Sequence, residues 1–188
     1  ETFEQMKQWV LAHPDKANYA HSGAGSPGQL FIEYIKQPAG LEVLTAIAYK
    51  STGQAVTDLV GGTTLLNLVS YPAIAPHLKS GAVKLLAVGS AQRMKDYPKV
   101  PTLGELGYPA VQVSDWQGLV GPKATPREVV ARLHAEISKI LATADMRERL
   151  NVLGMEAANL SSEAFAAHIR IEVGRWNNLV RAVGIKAD

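Results

Sequence analysis

Twice in its first 54 residues the chain runs from a short strand-like stretch into a turn rich in glycine, serine or threonine, then restarts as an amphipathic helix. The first unit is Asn18-Tyr19-Ala20-His21-Ser22-Gly23-Ala24-Gly25-Ser26-Pro27-Gly28 and the second is Ala48-Tyr49-Lys50-Ser51-Thr52-Gly53-Gln54. A helix N-terminus leaves backbone N–H groups unpaired and carries a partial positive charge, so each turn is a ready place for an anion. Two such turns in succession point to a protein that holds a carboxylate or a phosphate. They do not say whether it reacts.

The flanking pattern extends this into an α/β fold. A helix opens at Thr2-Phe3-Glu4-Gln5, which has capping-box spacing, and should stop by His13-Pro14. Strand one is expected over 17–21, followed by a helix from Ser26 to Gln37 with Leu30, Phe31, Tyr34 and Ile35 inward and a stop at Gly40. Strand two, 43–49, is nearly continuous in apolar residues, as for a strand buried on both faces. A helix over 53–60 stops at Gly61-Gly62; strand three covers 64–69, a short helix 73–79, and strand four 83–89. This alternation predicts a mainly parallel sheet with flanking helices.

Beyond Ser90 the texture changes. Residues 93–110 hold Pro98, Pro101, Gly104, Gly107 and Pro109 and read as a loop with at most one helical turn, including the solvated basic group Arg93 to Lys99. A further strand is expected over 111–120. Thr125-Pro126-Arg127-Glu128 then sets a cap, a first-turn proline and a glutamate in order, with Val129, Val130, Leu133, Ile137, Ile140 and Leu141 on the apolar face that follows. Another helix covers 145–153 and ends at Gly154. The last, from Ser161, presents Phe165, Ile169, Val173, Trp176, Val180 and Val183 at spacings of four, four, three, four and three. This helical tail has almost no strand of its own to pack against.

Several function classes recede. Net charge is only +2 with scattered basic residues, so no nucleic-acid partner is expected. There is no cysteine, and the histidines (His13, His21, His77, His134, His168) show no ligand spacing, so neither a metal nor a cofactor is expected. No G-x-S-x-G elbow is present, and Asp58 and Asp115 lack an acid–base partner in sequence, so no residue is assigned a catalytic role. No apolar run approaches the roughly 18–20 residues of a membrane span, and the N-terminus lacks a signal-peptide pattern.

Gly23 to Gly28 also matches G-x-G-x-x-G, with Glu42 nineteen residues after Gly23, which leaves a nucleotide-dependent oxidoreductase as the alternative. Against it, Asn-Tyr-Ala-His is a polar first strand, Glu42 begins rather than ends strand two, and Pro27 removes a donor. A small-anion site at Ser22 and Ser26 and an unoccupied tight turn are the other readings of the same residues. Lys50 is either a counter-charge or an exposed loop lysine, with the groups around Ser51 and Thr52 the safer ligand contacts. His21 reads as a hydrogen-bonded strand-end histidine, and Trp116 either packs in a core or lines a cleft.

Taken in order, these residues resemble a known family. Asn18-Tyr19 with Ser22-Gly23-Ala24-Gly25-Ser26, then Tyr49-Lys50, Gly53 and Ala55 to Gly62, then Pro76 to Gly81 with Leu85 to Val88, are similar to the periplasmic solute receptors of tripartite tricarboxylate transporters (the Bug/TctC type). So are Val100-Pro101-Thr102-Leu103, Gly107-Tyr108, Trp116 to Leu119, Pro122 to Pro126, and Trp176 with Val180 and Gly184-Ile185. The resemblance implies a two-lobed, Venus-flytrap protein without catalytic activity. It captures a small carboxylate or related solute in the periplasm and delivers it to a membrane permease. It also implies a type II-like second lobe over 14–115, with 1–13 and 116–188 as the remaining part of the first lobe. Ligand contacts carried over are Ser22, Gly23, Ala24, Gly25 and Ser26; Lys50, Ser51, Thr52, Gly53 and Gln54; and Val69 and Ser70.

The chain departs from the family pattern at Ser26-Pro27, often Thr-Ser; at Gln54, often proline; and at Val69, commonly aspartate. Val69 argues against a receptor that reads an ammonium group through that aspartate. Family members carry a long upstream stretch holding the signal peptide and the first strands of lobe one, so the expectation is a truncated receptor. Its tail helices are then expected to find a substitute partner in a homodimer or domain-swapped assembly.

Overall fold

A computed structural model of the chain describes residues 2–109, 111 and 116–184. They form two compact units, Glu1–Asp115 with Asn178–Asp188, and Trp116–Asn177.

The first unit is α/β. Helix α1 (Phe3–Ala12) starts with the expected reciprocal cap: the Thr2 hydroxyl accepts from Gln5 N–H, and the Gln5 carboxamide oxygen accepts from Thr2 N–H. It ends at His13, and a single 3-10 turn (Pro14–Lys16) leads into β1 (Asn18–His21). Then come α2 (Pro27–Ala39), β2 (Thr45–Ala48), α3 (Thr52–Val60), β3 (Leu66–Asn67) and α4 (Tyr71–Lys79). The sheet has the order β2-β1-β3 with both pairings parallel. The core lies around β1 and α2, where Tyr19, Ala20, Leu30, Phe31 and Ile35 are buried. Tyr34 is only half-buried, and its expected inward place is shared by Ile32.

Three strand expectations need correction. Strand two keeps only Thr45–Ala48 and leaves Thr45, Ala46 and Ala48 exposed, because it pairs with β1 on one side alone and forms the sheet edge. Strand three shrinks to two residues. Strand four does not form among the described residues: Val88 makes one isolated parallel bridge to Thr102, through Val88 N–H to Pro101 O (3.0 Å) and Leu103 N–H to Val88 O (2.8 Å). The neighbouring Pro101 has no N–H to donate, so the ladder cannot extend there.

Residues 93–109 are loop as expected but well tied. Arg93 Nε donates to both Glu105 carboxylate oxygens (3.0 and 2.9 Å), and Arg93 Nη1 donates to the Pro98 carbonyl. Thr102 and Glu105 cap each other reciprocally, with Thr102 N–H on Glu105 Oε2 (2.8 Å) and Glu105 N–H on Thr102 Oγ1 (3.0 Å). Of the strand expected over 111–120, positions 112–115 lie outside the described residues; Trp116 to Val120 is irregular chain.

The second unit is helical: α5 (Arg127–Leu141), α6 (Ala144–Val152) and most of α7 (Ser162–Val183). Thr125 does not cap α5. Pro126, in an extended conformation, is the N-cap residue and its carbonyl receives Val129 and Val130 N–H, which leaves Thr125 one residue too far out. Trp116 packs edge-on against Phe165 and His168, with ring centroids 5.5 and 5.4 Å away. Neither α5 nor α6 has a buried residue. On α7, Phe165, Ile169 and Trp176 are half-buried, Val173 is 54% exposed, and the one buried residue is Glu172, paired to Arg175 at 3.4 Å.

Candidate functional site

The geometry that matters is one edge of the sheet. In a parallel sheet all strands deliver their C-terminal ends to the same side, where open α/β sheets hold ligands. The register pairs His21 with Ala48 and Ala20 with Asn67, and Tyr49 N–H continues the ladder onto the His21 carbonyl at 2.9 Å. The segments Ser22–Ser26, Lys50–Gln54 and Val69–Ser70 therefore all leave the sheet at this edge, each followed by the start of a helix. The N-cap residues of those three helices are Ser26, Ser51 and Ser70.

The first turn is built on glycine and histidine. Gly23 (φ 121°) and Gly25 (φ 71°) adopt conformations that side chains disfavour. His21 is buried, and its Nδ1–H donates to the Gly23 carbonyl at 2.8 Å, which also receives Ser26 N–H at 3.1 Å. His21 is thus the hydrogen-bonded strand-end histidine read from the sequence. The Gly25 N–H donates to Gln29 Oε1 at 2.8 Å. Ser26 does not cap α2 through its side chain, and its Oγ is buried with no hydrogen-bond partner. Ser22 and Ala24 are exposed. The Gly25 and Ser26 N–H groups thus each have a partner here, Gln29 Oε1 and the Gly23 carbonyl.

The second turn is more open. Ser51 Oγ accepts from Gln54 N–H at 3.3 Å, a long cap, and Thr57 Oγ1 donates to the Gly53 carbonyl at 3.0 Å. Lys50 is exposed and makes no ion pair among the described residues. Tyr49 is fastened behind it: its hydroxyl donates to Asp58 Oδ2 at 2.7 Å, and that bond to a carboxylate raises the phenol above its ordinary value. At the third segment Val69 is half-buried and Ser70 exposed, with no side-chain cap on α4.

Side chains that the sequence reading passed over hold these segments in place. Asn18 Oδ1 accepts from Leu65 N–H at 2.8 Å and sets the entry to β3. Tyr19 Oη donates to Glu33 Oε1 at 2.6 Å, where Lys36 also reaches at 3.1 Å, and so joins β1 to α2. Burial, then the bond to Glu33, pushes the Tyr19 phenol strongly up. A Cβ on Gly28 would come within 2.6 Å of the Leu68 carbonyl, so the α2 N-terminus lies directly on the chain leaving β3.

The dinucleotide alternative fails on this geometry. Glu42 precedes β2, which places it at the opposite sheet edge from Gly23–Gly28, and it cannot meet a ribose bound there. Among the described residues no cluster of His, Asp or Glu could hold a metal, and no helix is long and apolar enough to cross a membrane.

Over residues 1–185 the chain matches the family model described as Tripartite tricarboxylate transporter family receptor. The chain belongs to that family. It is 31% identical to Protein BugT of Bordetella pertussis over 175 residues, 93% of this chain and 53% of BugT. It is similar in structure to R. palustris Rpa4515 with adipate (28% identity, TM-score 0.89, 98% of this chain and 61% of the other). It is also similar to MatC from Rhodopseudomonas palustris with bound malate (29% identity, TM-score 0.83, 96% and 62%). The α/β fold with a parallel sheet and flanking helices is that of the periplasmic binding proteins it superposes on. The chain spans about half the length of the curated relatives it matches.

Proposed function

We propose that the protein is a periplasmic solute receptor that captures a small carboxylate for the membrane permease of a tripartite tricarboxylate-type transporter, without catalysis. In this reading 14–115 is the second lobe of a Venus-flytrap cleft, and 1–13 with 116–188 belong to the first. Ser22–Ser26, Lys50–Gln54 and Val69–Ser70 are the lobe-two ligand contacts. The observation that carries the proposal is the gathering of three helix N-termini, each led by a serine, at one sheet edge beside the exposed Lys50. Partial positive charge from each helix start and a full one from Lys50 favour an anion there. The adipate and malate of the two structural relatives are both dicarboxylates, the class proposed for this chain.

The apolar faces that the tail helices leave exposed support a second proposal, a homodimer or domain-swapped assembly through α5 and α7. Calorimetry with di- and tricarboxylates tests the receptor reading, and light scattering of the same samples tests the assembly. A receptor encloses its ligand in a cleft and should bind a dicarboxylate saturably. Absence of saturable binding to every carboxylate in the panel would sink the receptor reading. A monomer at all concentrations would sink the assembly.

A further inference from the structure

The first turn has a hydrogen-bond partner of its own. The Gly25 N–H, which the turn would offer to a carboxylate, donates instead to Gln29 Oε1 at 2.8 Å. Gln29 sits in the first turn of α2, four residues on, and the bond is part-buried. The nearby groups cannot replace it: Ser26 N–H is committed to the Gly23 carbonyl, Pro27 has no N–H, and Ser26 makes no side-chain cap. Beside it the Ser26 hydroxyl is shut away from solvent with no partner, a polar atom that a bound acceptor would satisfy.

We propose that Gln29 is the specificity-determining gate of this turn: its carboxamide oxygen occupies the position of a ligand carboxylate oxygen and must be displaced before the anion binds. This rests on the receptor reading above. A neutral amide oxygen is a weaker acceptor than a carboxylate, so an anion wins the exchange where a neutral ligand does not. The gate thereby filters for charge.

The test is a backbone-amide NMR titration with adipate, carried to concentrations that report weak binding, on the wild-type chain, Gln29→Ala and Gln29→Glu. An internal hydrogen bond of ordinary net strength competes with the ligand by roughly three- to tenfold, so Gln29→Ala should lower the Kd for adipate by about that factor. Gln29→Glu should abolish the Gly25 response while leaving a dispersed, folded spectrum. Adipate shifts at Lys50–Gln54 with an unchanged or raised Kd in Gln29→Ala would overturn the gate and leave the receptor reading intact. Silence at all three segments in all three proteins would overturn both.

Discussion

The two units spend their apolar residues differently. Around β1 the first unit buries Tyr19 and Ala20 completely and packs α2 over them, with Asn18, Tyr19 and His21 each making a hydrogen bond to a named partner. In the second unit α5 is a well-patterned amphipathic helix that buries nothing, and Leu133 and Ile140 stand 46% and 51% exposed. Amphipathic periodicity is therefore present in both, yet only the first converts it into a core. Periodicity states which face wants burial; whether a partner surface exists is a separate fact. The three segments proposed as ligand contacts all belong to the unit that has the core, so packing sets their geometry.

The sharpest way to break this contrast is truncation in each unit. Tyr19→Ala removes a fully buried aromatic ring together with its bond to Glu33 and should cost about 3–5 kcal/mol. Val129→Ala on α5, where the side chain is already 42% exposed, should cost under about 1 kcal/mol. Urea unfolding of both variants measures the difference. Equal losses would mean that α5 is buried in solution, against a partner surface, and that the asymmetry belongs to the isolated chain.

A smaller effect is expected at Gly28, and it sharpens the claim that packing fixes the site. Gly28→Ala pushes a methyl against the Leu68 backbone carbonyl, which cannot swing aside as a side chain would. The overpacking should cost about 1–3 kcal/mol and move the first and third segments apart. Amide shifts confined to the α2 start and Leu68–Ser70 would support this. Shifts spread evenly over the unit would show that the edge is not a local joint.

What the sequence made legible follows the same division. β1, α2, α3 and their turns could be read because strand, glycine turn and helix cap are local signals, and so could the parallel order. The exposure of β2 could not, because Thr45–Ala48 is apolar whether it has one neighbour or two. Val83–Gly89 has strand composition but meets only Pro101 and Thr102, and a strand needs a ladder as well as a propensity. In the site, the turn around Ser51 and the helix start after it were readable, but not Ser51 as the cap. The engagement of Gly25 by Gln29 was signalled only by a glutamine one turn after a glycine, too common a pattern to single out. The Thr102-Leu103-Gly104-Glu105 cap did have its spacing in plain view, hidden by the surrounding prolines and glycines.

That cap supplies the smallest and most local comparison, between ion pairs. In the second unit Arg149–Asp145 and Lys139–Glu136 join residues one helical turn apart on exposed faces. In the first, Arg93 reaches across twelve residues to Glu105, which also receives the Thr102 N–H. The Arg93 guanidinium, then the Thr102 N–H, hold the Glu105 carboxyl below its ordinary range. A carboxyl whose pKa is lowered on folding adds stability above its unfolded value, and that contribution is lost as pH falls through the lower folded value. Acidification below the usual carboxylate range should therefore loosen residues 93–109 first, seen as faster hydrogen exchange at Thr102 and Glu105, while α5 and α6 show no matching change from their local pairs. Because the pair is exposed, the global melting temperature should barely move. Glu105→Gln should show the loosened exchange already at neutral pH and lose its acid dependence. If exchange at Thr102 stays slow in that variant, the neutral carboxamide is cap enough and the charge contributes nothing to holding this loop.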